Sequence, residues 1–123
     1  NHIYAFFFIL FFNLQIIKMN LNSKDWKNKK ESDPNSICLD VRTKDEFDEG
    51  YINGASNVDF YDSANFVSHL SNIDKKKSCF VYCRSGKRSY AACEIMKDLG
   101  FKNVYNLESG YMGWVENGYE TIG

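Results

Sequence analysis

Apolar and polar residues alternate in short blocks along most of this chain, and the blocks change period several times. Ile16 to Leu21 has the look of a short strand. Ser23 is a good helix cap, and Lys24 to Glu31 follows with Trp26 as its apolar anchor. Asp33-Pro34-Asn35 signals a turn, because proline presets φ and the flanking side chains can bond the local backbone. Ile37 to Val41 is a short apolar run, as expected of a buried strand. Thr43 caps a brief acidic helix through Glu49, with Phe47 facing inward, and Gly50 and Gly54 bracket a loop. Ala55 to Val58 resumes extended structure, and a helix covers Ser63 to Leu70. Lys75 to Lys77 reads as a solvated turn before a second buried strand, Cys79 to Cys83. Ser89 to Leu99 predicts a helix ended by Gly100, with Ala92, Ile95, Met96 and Leu99 at helical spacing. Val104 to Leu107 is a last strand, and a helix near Tyr111 to Asn117 follows. Strands alternating with short helices predict an α/β domain with a mostly parallel central sheet of about five strands and helices on both faces.

The N-terminus breaks this pattern. Ile3 to Phe12 is an unbroken apolar run, and half of the ten phenylalanines lie within it. As a helix it reaches roughly 15 Å at about 1.5 Å per residue, half of a ~30 Å bilayer core. Such a run fits the apolar region of a signal peptide or an anchor remnant, although the usual basic start and small-residue cleavage site are missing. Two other readings compete: that Met19 is the native start, or that the run is a buried part of the fold. The chain is thus expected to divide into an apolar segment, residues 1–17, and one domain, residues 18–123. A membrane is a partner only if that segment is retained. The compartment follows from the same choice, exported or tethered with a signal and cytoplasmic without one.

Composition narrows the function. At 123 residues, 44% apolar and 25% charged, the chain has the mix of one ordered domain. A net charge of −1 argues against a nucleic-acid partner, which calls for a basic stripe. Two histidines and no paired C-x-x-C argue against a zinc site, and four cysteines are too few for a disulfide scaffold of this length.

The chemistry gathers in Cys83-Arg84-Ser85-Gly86-Lys87-Arg88, between a buried strand and a helix starting near Ser89. In an open α/β sheet, ligands sit at the carboxyl ends of strands beside helix N-termini. Gly86 lets the loop curl so that successive N–H groups point inward, and Arg84, Lys87 and Arg88 add positive charge. A thiol held there is expected to ionise easily, as thiols at helix N-termini do. A nucleophilic sulfur and an anionic substrate follow. Cys38, Cys79 and Cys93 sit among apolar residues and are expected to be small core residues. His2 and His69 have no neighbours that suggest a role.

At these residues the chain resembles the rhodanese family, above all its single-domain sulfurtransferases. Leu39-Asp40-Val41-Arg42 is similar to that family's strand-ending motif, followed by an acidic segment with Glu46 and Phe47. Glu49 to Asn57 resembles its second motif, with Tyr51 and Asn53 where histidine and proline are usual. Val81 to Ser89 is similar to the active loop. Leu107 to Trp114 resembles the closing motif, with Ser109 in place of the first of two glycines.

The resemblance implies that Cys83 is the catalytic nucleophile. It would take a sulfane sulfur from thiosulfate or another small anionic donor and pass it to a thiol, a protein or cyanide. The loop from Arg84 through Ser85, Gly86, Lys87, Arg88 and Ser89 would hold the persulfide on its N–H groups. Arg84 and Lys87 are the expected donor contacts, and Arg88 the brace. Asp40 and Arg42 are expected to be supporting, pairing with loop or helix groups. No metal or organic cofactor is required. The fold family also holds phosphatases and arsenate reductases, whose arginine follows five intervening residues. Here four residues separate Cys83 from Arg88, and Ser89 occupies the phosphatase arginine position. A non-catalytic binding domain is the third reading.

Overall fold

The computed structural model describes the backbone of residues 2–123 and the side chains of residues 2–10 and 19–123. Five strands, β1 (Asn20–Leu21), β2 (Ile37–Asp40), β3 (Ala55–Asn57), β4 (Cys79–Tyr82) and β5 (Val104–Leu107), form one sheet in the order β1-β5-β4-β2-β3. Every neighbouring pair is parallel. Parallel neighbours cannot be joined by tight hairpins, so helices carry the crossovers. The crossovers are α2 (Ser23–Glu31), α3 (Lys44–Asp48), α4 (Ser63–Leu70) and α5 (Lys87–Asp98), while α1 (His2–Met19) precedes β1 and α6 (Gly110–Glu116) follows β5.

β4 is buried along its whole length, as a central parallel strand must be. Its side chains alternate between two cores. Cys79 and Val81 face a cluster that includes Phe66 and Leu70 from α4 and Ala92, Cys93 and Met96 from α5. Phe80 and Tyr82 face the other way, against Trp26 of α2 and Trp114 of α6. Trp26 sits at the centre of that second core, edge-on to Phe80, Tyr82 and Trp114 at 5.7, 6.1 and 5.6 Å between ring centroids. Helices therefore cover both faces, as the block pattern predicts.

Several boundaries move. The strand expected over Ile16 to Leu21 is only Asn20–Leu21, because α1 runs through Met19. Ser23 is not the cap of α2: Asn22 accepts from the Asp25 N–H at 2.8 Å, and Ser23 is buried inside the first turn. α5 begins at Lys87 rather than Ser89, with Gly86 as its N-cap. Ile95 and Leu99 are exposed, and the buried face of α5 is Ser89, Ala92, Cys93 and Met96. Phe47 is half-buried and stacks on Tyr51 at 4.2 Å instead of entering a core. Gly100 does end α5, with φ +99 and the Phe101 N–H returning to the Met96 carbonyl.

Ile3, Tyr4, Phe6, Phe7, Phe8, Ile9 and Leu10 are exposed, so this part of α1 is not buried in the fold. The side chains that continue the run lie outside those described. No helix among the described residues is long and apolar enough to cross a membrane.

Because all strands are parallel, their carboxyl ends share one edge. From β2 the chain moves outward to β3, then crosses back to β4 on the other side of β2. The loops leaving β2 and β4 diverge at this reversal, the place where ligands sit in open α/β sheets. Val41 and Cys83 are the first residues beyond those two strands, and Arg42 and Arg84 the second.

Candidate functional site

Cys83 is the first residue after β4, and it is fully buried. Two donors converge on its sulfur: the Gly86 N–H at 3.2 Å and the Ser89 hydroxyl at 3.3 Å. The first depends on the backbone at Gly86, which takes φ +92, a region where a side chain is strained. A Cβ there would also collide with the Glu108 carbonyl. Gly86 thus lets the chain reverse under its own strand and aim its N–H back at Cys83.

The loop is held from the far side by α6. The Cys83 carbonyl accepts from the Tyr111 N–H at 2.8 Å, and the Arg84 carbonyl from the Met112 N–H at 3.1 Å. Gly110, at φ +68, permits this approach, since a Cβ would meet the Arg84 carbonyl. Ser109 fills the place of a usual glycine with ordinary backbone, φ −82, and its hydroxyl bonds that of Ser23 at 2.7 Å.

The earlier start of α5 changes what the loop is. Only Arg84, Ser85 and Gly86 are loop; Lys87, Arg88 and Ser89 are the first helical turn. Gly86 offers no side-chain cap, so no cap bond occupies the first N–H groups of α5, where the positive end of the helix dipole lies. Arg84, Ser85 and Lys87 are exposed above the buried Cys83 and Ser89.

Arg88 turns away from that mouth. Its two terminal nitrogens bond the two Glu46 oxygens at 2.8 and 3.0 Å, and its guanidinium lies 5.5 Å from the Tyr61 ring centroid. Glu46 also closes the capping box of α3, accepting from the Thr43 N–H and hydroxyl, each at 3.1 Å. The Arg88 hydrogen bonds, with help from Thr43, hold the Glu46 carboxyl down at about 2. Arg88 is thereby tied to the segment after β2, as a brace would be.

Asp40 and Arg42 pair with each other, and Arg42 also meets loop and helix groups. Arg42 Nε and Nη2 reach the Asp40 carboxylate at 3.0 and 2.7 Å, and Nη2 also donates to the Gly50 carbonyl at 2.7 Å. Tyr111 and Tyr82 stack about the guanidinium at 4.2 and 5.5 Å. Burial pulls the Arg42 pKa down, but the bonds and charge of Asp40 outweigh it and leave it raised. Burial, then the Asp40 carboxylate, also pushes the Tyr82 hydroxyl up, and that oxygen accepts from the Ile52 N–H at 3.0 Å. Nε and Nη2 of Arg42 are thus committed to the scaffold.

The other cysteines are all buried and free of disulfides. Burial pushes Cys38 up to about 12, Cys79 up to about 11 and Cys93 well above the ordinary thiol value. They behave as core residues. Three site residues had escaped the sequence reading: Asn57, whose amide donates to the Asp40 and Arg42 carbonyls at 3.0 and 2.9 Å; Tyr61 beside Arg88; and Asn106, which bonds the Gly86 carbonyl. Only the bond between Glu46 and Thr43 had a readable local signal, the T-x-x-E spacing.

The geometry has counterparts. A family model described as a rhodanese-like domain matches residues 23–117. A protein named sulfurtransferase in Allochromatium vinosum is 31% identical over 86 residues, covering 70% of this chain and 78% of that one. A tRNA uridine(34) hydroxylase of Pelagibacter ubique is 30% identical over 98 residues, 80% of this chain but only 32% of the hydroxylase. Among solved structures, a rhodanese-related protein from Thermoplasma volcanium superposes with a TM-score of 0.73 at 27% identity, covering 84% of this chain and 96% of that one. The matched span runs from the first turn of α2 to the end of α6 and includes the whole cysteine loop, so the chain belongs to the family of rhodanese-like domains.

Proposed function

We propose that the protein is a sulfurtransferase in which Cys83 carries the sulfur. The Cys83 thiolate attacks the outer sulfur of a small anionic donor such as thiosulfate. A sulfur–sulfur bond forms at Cys83, the donor's sulfur–sulfur bond breaks, and sulfite leaves with the electron pair. The resulting persulfide anion is held by the Gly86 N–H, the Ser89 hydroxyl and the uncapped turn of α5. A thiol, a protein acceptor or cyanide then takes the outer sulfur and restores the thiolate. Because Cys83 is buried beneath Arg84, Ser85 and Lys87, these side chains part to admit the donor, and the two cations meet its charge.

The convergence of two donors on Cys83 Sγ is the observation that carries this reading. The commitment of Arg88 weighs against oxyanion chemistry. An arginine that cradles a phosphoryl group needs its fork free, and here Glu46 takes both prongs. Likeness to the tRNA hydroxylase favours a second reading, a domain that serves tRNA modification within a larger protein. The net charge of −1 weighs against an RNA surface of its own. Thiocyanate release from thiosulfate and cyanide, compared with hydrolysis of an aryl phosphate, tests the proposal. Sulfur transfer is expected to dominate and to vanish in Cys83→Ser; equal turnover of the ester, or activity in the variant, overturns it.

A further inference from the structure

Asn106 lies on β5, on the same side of the sheet as Val104, and is 1% exposed. Its Nδ2 donates to the Gly86 carbonyl at 3.1 Å and to Asn20 Oδ1 at 2.8 Å. Its own Oδ1 is buried and has no hydrogen-bond partner among the described residues. Since the Gly86 oxygen can only accept, the amide cannot be turned round to satisfy Oδ1 without losing that bond. A leucine has the same branched shape and would remove the orphaned oxygen, but it would take the Nδ2 donor from Asn20 Oδ1 and the Gly86 carbonyl. Buried unpaired polar atoms are rare in native proteins and call for a reason.

Gly86 supplies the reason. Its carbonyl accepts the first helical bond of α5, from the Tyr90 N–H at 3.1 Å, and the Asn106 amide takes up its second lone pair. Two donors from different directions fix the plane of the Gly86–Lys87 peptide. That peptide is trans, so its N–H points opposite to its carbonyl, out of the N-terminus of α5. The same residue, at φ +92, sends its own N–H to Cys83 Sγ. With the Asn106 bond gone, only the helical bond would orient this turn.

We propose that Asn106 is a positioning residue for sulfur chemistry at Cys83: it locks the left-handed turn at Gly86 so that the Gly86 N–H stays aimed at the reacting sulfur. The proposal rests on Cys83 being the reacting sulfur, as argued above. Asn106 touches no substrate and acts through Gly86 alone. Asn20 shares the amide but lies on the edge strand β1, so its side chain contributes to the fold and not to the aim.

The test compares the full chain with Asn106→Leu and Asn20→Ala by three measurements: thermal unfolding, the pH profile of Cys83 alkylation by iodoacetamide read by peptide mapping, and kcat/KM for thiosulfate with cyanide. Asn106→Leu loses both Nδ2 bonds and is expected to unfold at or somewhat below the wild-type temperature and, while folded, to alkylate only at higher pH and to lose about tenfold in kcat/KM. A residue that served the fold alone would leave the alkylation profile of the folded chain unchanged. Asn20→Ala is expected to keep the wild-type alkylation profile. An Asn106→Leu profile that coincides with wild type, or an equal shift in Asn20→Ala, overturns the proposal. Should Asn106→Leu fail to fold, Asn106→Ala makes the same comparison with the same two outcomes. Should wild type take no sulfur from thiosulfate, the transferase reading fails while the alkylation profiles still decide the role of Asn106.

Discussion

Two arginines follow neighbouring parallel strands by the same kind of short exit, Arg42 after β2 and Arg84 after β4, and they end in opposite states. Arg42 is 3% exposed, bonded to Asp40 and to the Gly50 carbonyl, and closed in by Tyr82 and Tyr111. Arg84 is exposed, and its guanidinium has no ion pair or hydrogen bond among the described residues. One charge is consumed by the scaffold and the other is left to solvent. What separates them is the acid available to each. Asp40 sits two residues before Arg42 on the same chain and is fully buried, so it needs that cation. No carboxylate is spent on Arg84. In the proposed reaction the unpaired cation is the one that meets substrate, and Arg88, paired to Glu46, belongs with Arg42 rather than with Arg84.

The largest test of this contrast is Arg42→Ala. It strands a buried carboxylate, and breaking a buried pair costs about 3–5 kcal/mol. Urea unfolding is expected to show that loss. A normal unfolding midpoint with only slower turnover would place Arg42 with the substrate cations and erase the contrast. Next come Arg84→Ala and Lys87→Ala. Each is expected to lose about 1–3 kcal/mol of transition-state binding in kcat/KM for an anionic donor. Their unfolding midpoints are expected to stay within the ±0.5 kcal/mol or so of ordinary surface changes. Arg88→Ala falls between, with a fall in activity and a stability loss of about 1 kcal/mol, since its pair with Glu46 is partly exposed. Equal, purely kinetic losses at all three positions would dissolve the division.

The smallest effect is one of pH. Glu46 holds its proton more weakly when folded, at about 2, than a free glutamate near ~4.3. Its contribution to stability is therefore present above roughly pH 4.3 and lost as pH falls through that range toward 2. Acid titration of stability is expected to flatten in this window in Arg88→Ala. An unchanged acid limb would mean that Glu46 draws its low value from the Thr43 capping bonds alone.

Much of this arrangement was readable before the fold was seen. Ser63–Leu70 and Val104–Leu107 are where their apolar patterns put them, and Cys83 lies between β4 and α5 as the sequence predicts. The start of α5 was not, because cap rules look for a side-chain acceptor and Gly86 caps with backbone conformation alone. The face of α5 was misread for a related reason. Its buried stripe is Ser89, Ala92, Cys93 and Met96, and a serine bonded to the thiol does not register as apolar. Asp40 and Arg42 were named as supporting, but their mutual pairing needed the β2 exit turn to bring them together. Asn57 and Asn106 act on carbonyls of residues far along the chain, where spacing carries no information.

In the proposed reaction Cys83 takes up a sulfur atom beside the Gly86 N–H and the Ser89 hydroxyl. Intact mass of the purified chain before and after thiosulfate reads that uptake. The expected result is a gain of one sulfur, about 32 Da, mapped to the peptide carrying Cys83, removed by a thiol reductant and absent in Cys83→Ser. No gain in the wild-type protein, or a gain that survives in Cys83→Ser, would contradict it.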